Sequence, residues 1–397
     1  MRSKKRIALA LSALITAFTS CFATGCQKAP APMGGGGFAP TVTIAQAEGS
    51  VQYTPVLNGI PSNVTLPLLS GDIYTVCANY EKFVTDGYNL QCTDCFAPTA
   101  LTISWESKEA PLYYTFDIST NADMSMAESY VTFGASVTLK NLFMGYDYYY
   151  QISAKYEDKL IKSQIFEFST EYLPRTIKVD DNVSNTRDWG GYYTQEGNRI
   201  KQGIVYRGGE LEKITEAGKR VMLVDLGIQT DLDVRGDGSS NLGKSPLGSS
   251  VNYVETKGPY YVVPYGEGID KAGEYQEALA REIRTFADAK NFPVYVHCSL
   301  GRDRTGTLCF LIQALLGVSE TDIYRDYELS FMSRTGTIDN PKAEYIVGVA
   351  FTGLYNYIKR FQPNSTLQRN AEAFMYSIGI TEQEIEAIRE NMLEEVK

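Results

Sequence analysis

One segment constrains this chain more than any other: Pro293-Val-Tyr-Val-His297-Cys298-Ser-Leu-Gly-Arg-Asp-Arg304-Thr305, which joins a short apolar run to a long one. Pro293 to His297 reads as a strand, and Thr305-Gly-Thr-Leu-Cys-Phe-Leu-Ile-Gln-Ala-Leu-Leu316 as an almost wholly apolar and therefore buried helix. Around them, amphipathic spacing predicts helices over Glu210 to Val224 and Gly273 to Lys290 and again from Ser319 and Thr381, with a strand at Gln229 to Val234. Helices and strands that alternate in this way make an α/β domain, beginning where the texture changes after Leu173-Pro174.

The loop between strand and buried helix has a definite chemistry. A helix N-terminus leaves backbone amides unpaired and carries the positive end of the helix dipole, so the turn is a place to hold a phosphate and to stabilise a thiolate. Cys298 stands there as a nucleophile able to attack phosphorus. Five residues separate it from Arg304, a spacing that lets the loop curl and set a bidentate guanidinium over the same oxygens. Gly301 supplies backbone freedom in the middle of the loop, and Gly306 lets the helix start close to it. The Thr305 hydroxyl is placed to donate to sulfur when an intermediate breaks down. His297, just before the nucleophile, reads as a group that orients the loop rather than as a base. Ser299, Leu300, Gly301 and Arg302 complete the cradle that would bind substrate.

Composition removes other chemistries. The formal net charge of −10 argues against a nucleic-acid binder, which needs clustered Lys and Arg. With His297 as the single histidine, no two-His zinc site and no remote histidine for a triad can be built. No metal or cofactor is expected.

The loop resembles the signature of the cysteine-dependent protein tyrosine phosphatases, a Cys and an Arg with five residues between them followed by Ser or Thr. It is most similar to the bacterial branch, some of whose members also act on phosphoinositides. Asn185-Thr-Arg-Asp-Trp-Gly-Gly191, Val205-Tyr-Arg-Gly-Gly-Glu-Leu211 and Asp231-Leu-Asp-Val-Arg235 resemble three further motifs of that branch. The departures are mild: Arg302 for Lys, Trp189 for Leu, Gly208 for Ser. The resemblance implies a tyrosine-phosphatase-like fold over residues 173–397 and hydrolysis of phosphate monoesters through a phosphocysteine on Cys298. The substrate would be a phosphorylated protein, a phosphoinositide or an inositol phosphate. A leaving-group acid is also required. Asp233, at a strand end beside the loop, is favoured over Asp303, inside it. Gly236 to Ser250 and Tyr265 to Asp270 are candidate mobile walls. Two other readings compete: a surface adhesion protein whose loop only holds phosphorylated ligands, and a sulfurtransferase, which has no reason for Arg304.

The first half of the chain reads differently. Residues 1–26 have the basic start, apolar core and small-residue end of an export signal. Ala23-Thr-Gly-Cys26 resembles a lipoprotein processing site that would lipidate Cys26 and anchor the protein to the outer face of a bacterial membrane, with simple secretion as the alternative. Residues 27–40, rich in Ala-Pro and Gly, fit a flexible linker. Residues 41–96 are β-rich and of no recognised type. In them Cys77, Cys92 and Cys95 admit one disulfide with one thiol over. Residues 97–172 resemble a fibronectin type III domain, on Trp105 and on Leu142-x-x-Gly145-x-x-Tyr148. The expected fold class is thus an N-terminal β-sandwich region followed by an α/β domain. Sheet packing explains the Tyr-rich strands more cheaply than a protein or glycan ligand does.

Overall fold

Alternating apolar and polar side chains organise the β-rich half. The computed structural model describes residues 43–44, 101–107, 110–170, 175–235, 243–256, 273–330 and 352–396. Its first eight strands are β1 (Thr43–Ile44), β2 (Leu101–Glu106), β3 (Tyr113–Ser119), β4 (Glu128–Thr132), β5 (Ser136–Leu139), β6 (Asp147–Lys155), β7 (Leu160–Lys162) and β8 (Phe166–Ser169). They pair antiparallel in two sheets, one ordered β1-β2-β5 and the other β4-β3-β6-β7, with β8 also on β6. Leu101, Ile103 and Trp105 of β2 turn inward, as do Tyr114, Phe116 and Ile118 of β3 and Tyr148, Tyr150 and Ile152 of β6. All nine belong to one apolar cluster drawn from strands of both sheets. Trp105 stacks on Phe116 with ring centroids 6.1 Å apart. Rings of this size each contribute about 1.5–3 kcal/mol when fully buried. The Tyr148 hydroxyl accepts the Phe143 amide at 2.6 Å, closing a turn in which Gly145 has a positive φ of 71°.

In the second half the chain forms β9 (Arg187–Asp188), β10 (Arg199–Ile200), β11 (Val205–Gly208), α1 (Glu216–Arg220), β12 (Thr230–Asp233), β13 (Asn252–Glu255), α2 (Gly273–Arg284), β14 (Val294–His297) and α3 (Asp303–Leu315). Then follow α4 (Glu320–Leu329), α5 (Thr352–Ile358), α6 (Leu367–Ser377), α7 (Glu382–Met392) and β15 (Leu393–Glu394), the last pairing with β10. The main sheet is ordered β13-β12-β14-β11-β9, parallel throughout except for the antiparallel edge β9. Both of its faces are covered, which explains why β14 reads as a continuous apolar run. Val294 and Val296 face the cluster that holds α3, α6 and α7, while Tyr295 faces a second cluster with Met222, Leu226 and Ile228. Every residue of α3 from Arg304 to Leu315 is buried.

The expected elements are found with shifted ends. The helix predicted over Glu210 to Val224 is shorter: α1 starts only at Glu216, where the Thr215 side chain caps it by accepting the Gly218 amide at 3.0 Å, and runs into a wider turn over Val221–Asp225. The residues before it are committed elsewhere, the Glu210 amide to the Ser299 carbonyl at 3.2 Å. The helix at Thr381 is fixed by a capping box between Thr381 and Glu384. The export segment with Cys26, the linker, nearly all of residues 41–96 with Cys77, Cys92 and Cys95, and the proposed walls at 236–242 and Tyr265 to Asp270 lie outside the described residues. Ser245, from the rest of the first wall, is anchored: its hydroxyl donates to Asp231 at 2.6 Å.

Candidate active site

Parallel pairing brings Gly208, Asp233 and His297 into register at the carboxyl ends of β11, β12 and β14, the edge of such a sheet at which ligands bind. The chain leaves β14 through Cys298, 4% exposed, and enters α3 at Arg302 to Asp303. Gly301 has φ +65°. A side chain there would be strained, and its Cβ would overlap the Gly208 carbonyl.

Three of the loop's carbonyls, those of Ser299, Leu300 and Gly301, are held from outside. Asn185 donates its carboxamide to the carbonyls of Leu300 at 3.0 Å and Gly301 at 3.1 Å. Arg207 reaches the Gly301 carbonyl at 2.9 Å, and the Ser299 carbonyl accepts the Glu210 amide. Arg207 is itself paired with Asp326 of α4, which also binds Arg187 at 2.8 Å. All three are buried. Burial pushes the Asp326 carboxyl up, but the two guanidiniums hold it below the usual carboxylate range. The Arg187 guanidinium in turn donates to Asn185 at 2.5 Å.

His297 is buried, with its Nδ1 3.2 Å from the Cys298 carbonyl. Its Nε2 lies 2.9 Å from the buried Asp231 carboxylate. Burial lowers the His297 pKa, the Asp231 carboxylate outweighs it, and the result is about 9. The ring is therefore a cation at neutral pH beneath the nucleophile. Arg304 is buried and donates to the Arg235 carbonyl. The buried Thr305 hydroxyl has no hydrogen-bond partner among the described residues. Leu300 is 36% exposed and forms the lip of the loop.

The two acid candidates differ sharply. Asp233 is fully buried and clamped by Arg235, through Nε at 2.8 Å and Nη2 at 2.6 Å, with the Tyr253 hydroxyl at 3.0 Å. Burial alone would raise it, but the Arg235 fork and the His297 charge bring it down to about 2. A group so held stays ionised and has no proton to give. The side chain of Asp303 is 23% exposed; it accepts from Arg302 at 3.1 Å and from the Tyr327 hydroxyl at 2.9 Å. Cys309, buried in α3, is a thiol pushed up to about 12 by burial, so it is no second nucleophile.

The departures from the resembling motifs have local causes. A Cβ at Gly208 would collide with the Tyr295 hydroxyl, which instead donates to the Gly209 carbonyl at 2.8 Å. Trp189 fills the core edge-on to Phe286, 5.5 Å between centroids. Sequence reasoning gave no role to Asn185, Arg187, Arg207, Asp231 or Arg235, though each lies in a quoted motif. Asp326 and Tyr327 carried no signal at all.

A model of the tyrosine phosphatase family matches residues 179–394. A Cupriavidus necator protein, whose name assigns it provisionally to the tyrosine-protein phosphatases, is 28% identical over 170 residues. That match spans 37% of this chain and 60% of the relative's length. Among solved structures, the core catalytic domain of the PP-IP phosphatase SIW14 from S. cerevisiae, in complex with citrate, is 13% identical with a TM-score of 0.25, covering 43% of this chain and 91% of that one. A Siw14 catalytic core is 16% identical with a TM-score of 0.24, covering 36% and 85%.

Proposed function

The chain belongs to the tyrosine phosphatase family, and from that premise we propose that it hydrolyses phosphate monoesters through a phosphocysteine on Cys298. The observation that carries this reading is the set of outside donors on the carbonyls of Ser299, Leu300 and Gly301, which leaves the opposite, amide side of the loop to converge on an oxyanion above Cys298.

In this reaction the Cys298 thiolate attacks phosphorus while the ester P–O bond breaks and the leaving oxygen takes a proton. Arg304, anchored on the Arg235 carbonyl, grips two phosphoryl oxygens. Asp303 supplies the proton, since Asp233 is held ionised by Arg235; the preference for Asp233 that its place at a strand end suggested is reversed on that ground. Water then attacks phosphorus and gives its proton to the Asp303 carboxylate. The S–P bond breaks, Thr305 donates to the departing sulfur, and orthophosphate leaves. Ser299, Leu300, Gly301 and Arg302 form the mouth. The substrate is a phosphotyrosine, a phosphoinositide or an inositol phosphate.

The remaining assignments rest on sequence. Residues 97–172 are a fibronectin type III-like β-sandwich, a reading supported by the Tyr148 hydroxyl on the Phe143 amide, and residues 173–397 are the catalytic domain. Residues 1–26 direct export, and Cys26 carries a lipid anchor that holds the protein at the outer face of a bacterial membrane.

Incubation of the full chain with p-nitrophenyl phosphate tests the reaction. Release of phosphate that falls at least ~10⁴-fold in Cys298→Ser is expected. Absence of release, or release that survives the substitution, overturns the proposal.

A further inference from the structure

The support of the loop does not end within the α/β half. Neighbouring residues of a strand face opposite sides, and β9 uses both. Arg187 turns to Asn185 and Asp326 under the loop, while Asp188 turns the other way, to Arg175 at 2.5 Å. Arg175 and Asp188 are both buried. Arg175 also donates through Nε to the Asn141 carbonyl at 3.1 Å and lies 4.7 Å from the centroid of the Phe143 ring. Asn141 and Phe143 belong to the turn between β5 and β6, in the β-rich half.

Three more grips surround this pair. The Gln202 carboxamide accepts the Met144 amide at 2.9 Å and donates to the Met144 carbonyl at 2.7 Å. Arg199 donates to the Gly145 carbonyl and to Glu394, both at 2.8 Å, and lies 3.7 Å from the centroid of the Tyr146 ring. Asp188 accepts the Gly203 amide at 2.6 Å, and the Phe143 ring fills the space a Gly203 side chain would need. The connecting chain takes part as well: the Asp188 amide donates to the Arg175 carbonyl at 2.7 Å and the Ile177 amide to Thr186 at 2.9 Å. A module swinging on a tether has no use for such contacts. A buried ion pair costs several kcal/mol of desolvation per charge and is tolerated only with good geometry and filled partners, while a filled network rigidifies what it joins.

We infer that the turn Asn141–Asp147 of the β-rich half positions the Cys298 loop, with Arg175 and Asp188 as the positioning pair that carries its hold across β9 to Arg187, Asn185 and the carbonyls of Leu300 and Gly301. None of these groups touches substrate. They act by fixing the backbone, where a displacement of about 1 Å costs a reaction up to ~10²-fold. The inference rests on the proposal that this loop grips a phosphoryl group.

The test is the double variant Phe143→Ala, Gln202→Ala in the full chain, which removes two of the turn's holds, the Phe143 ring and the Gln202 carboxamide, without altering β9 or the loop. Three changes are expected at 25 °C: kcat on p-nitrophenyl phosphate falls roughly tenfold with KM nearly constant, inhibition by vanadate weakens by a similar factor, and amide exchange over residues 298–306 quickens. Val131→Ser, on exposed β4, leaves all three unchanged. If exchange quickens at 141–147 but vanadate affinity and loop exchange stay within about twofold of the parent, contrary to the coupling expected of a shared network, the inference is overturned. Arg175→Lys keeps a charge beside Asp188 and loses the fork to Asn141, so the same three measurements on it decide the question if the double variant fails to fold. A parent that releases no phosphate sinks the proposed reaction, yet the exchange comparison still decides whether the halves are coupled.

Discussion

The carboxamide of Asn185 bridges the carbonyls of Leu300 and Gly301, at 3.0 and 3.1 Å, across more than a hundred residues of sequence. Asn185 does this from a left-handed backbone, φ +60°, a conformation that Asn tolerates better than most residues. The sharp bend aims the side chain at the loop, and the Arg187 guanidinium fixes its other end.

Asn185→Ala removes both bonds, taking this donor from the Leu300 carbonyl and leaving the Gly301 carbonyl to Arg207. We expect kcat/KM on p-nitrophenyl phosphate to fall by about 10–100-fold. The melting temperature should drop by only a few degrees. Steady-state kinetics and thermal denaturation check it, and unchanged kinetics would remove Asn185 from the loop's support.

The two aspartates separate by pH profile. With Asp233 held at about 2 by Arg235, it is ionised at any pH where the enzyme works and cannot titrate as the acid. Asp303→Asn is expected to lower kcat by roughly 10²–10⁴-fold on esters with poor leaving groups and to flatten the basic limb. Asp233→Asn should keep that limb. The opposite pattern would restore Asp233 as the donor.

A stability profile reads the His297–Asp231 pair. The folded pKa of His297, about 9, lies above its ordinary 6.5. The stabilisation is therefore complete below about pH 6.5 and is lost as pH rises through 9. The span corresponds to about 3 kcal/mol at most. Urea unfolding at pH 6, 7.5 and 9 should show the fall in the parent and a flatter, lower curve in Asp231→Asn. A parent curve that rises over this range would contradict the pairing.

Tyr148→Phe leaves the Phe143 amide without its acceptor. A donor stranded in this partly buried turn costs about 1 kcal/mol, at the low end of the range for a buried one. The loss should be visible in urea denaturation of the full chain, and a variant as stable as the parent would show that the hydroxyl adds nothing to the turn.

The strand–loop–helix core was readable because it is local. Val294 to His297 and Asp303 to Leu315 need only apolar periodicity and a glycine at the bend to be recognised. Cys298 and Arg304 follow from a fixed spacing, and the motifs containing Asn185, Arg207 and Asp233 could be matched without knowing what they do. The choice of acid could not be read in this way. Asp233 and Asp303 are equivalent as letters, and only the Arg235 fork around one and the Arg302 and Tyr327 contacts around the other tell them apart.

By itself, then, the sequence determined the strand, loop and helix around Cys298, the order of elements and the split into β-rich and α/β halves, because these depend on neighbours within a few residues along the chain. Tertiary structure alone decided what holds the loop. Asp326 reaches Arg187 and Arg207, and the Asn141–Asp147 turn reaches Arg175 and Gln202, only after the sheet has closed. Such contacts join residues far apart in sequence, and their strength comes from burial, which no stretch of the chain possesses before it is packed.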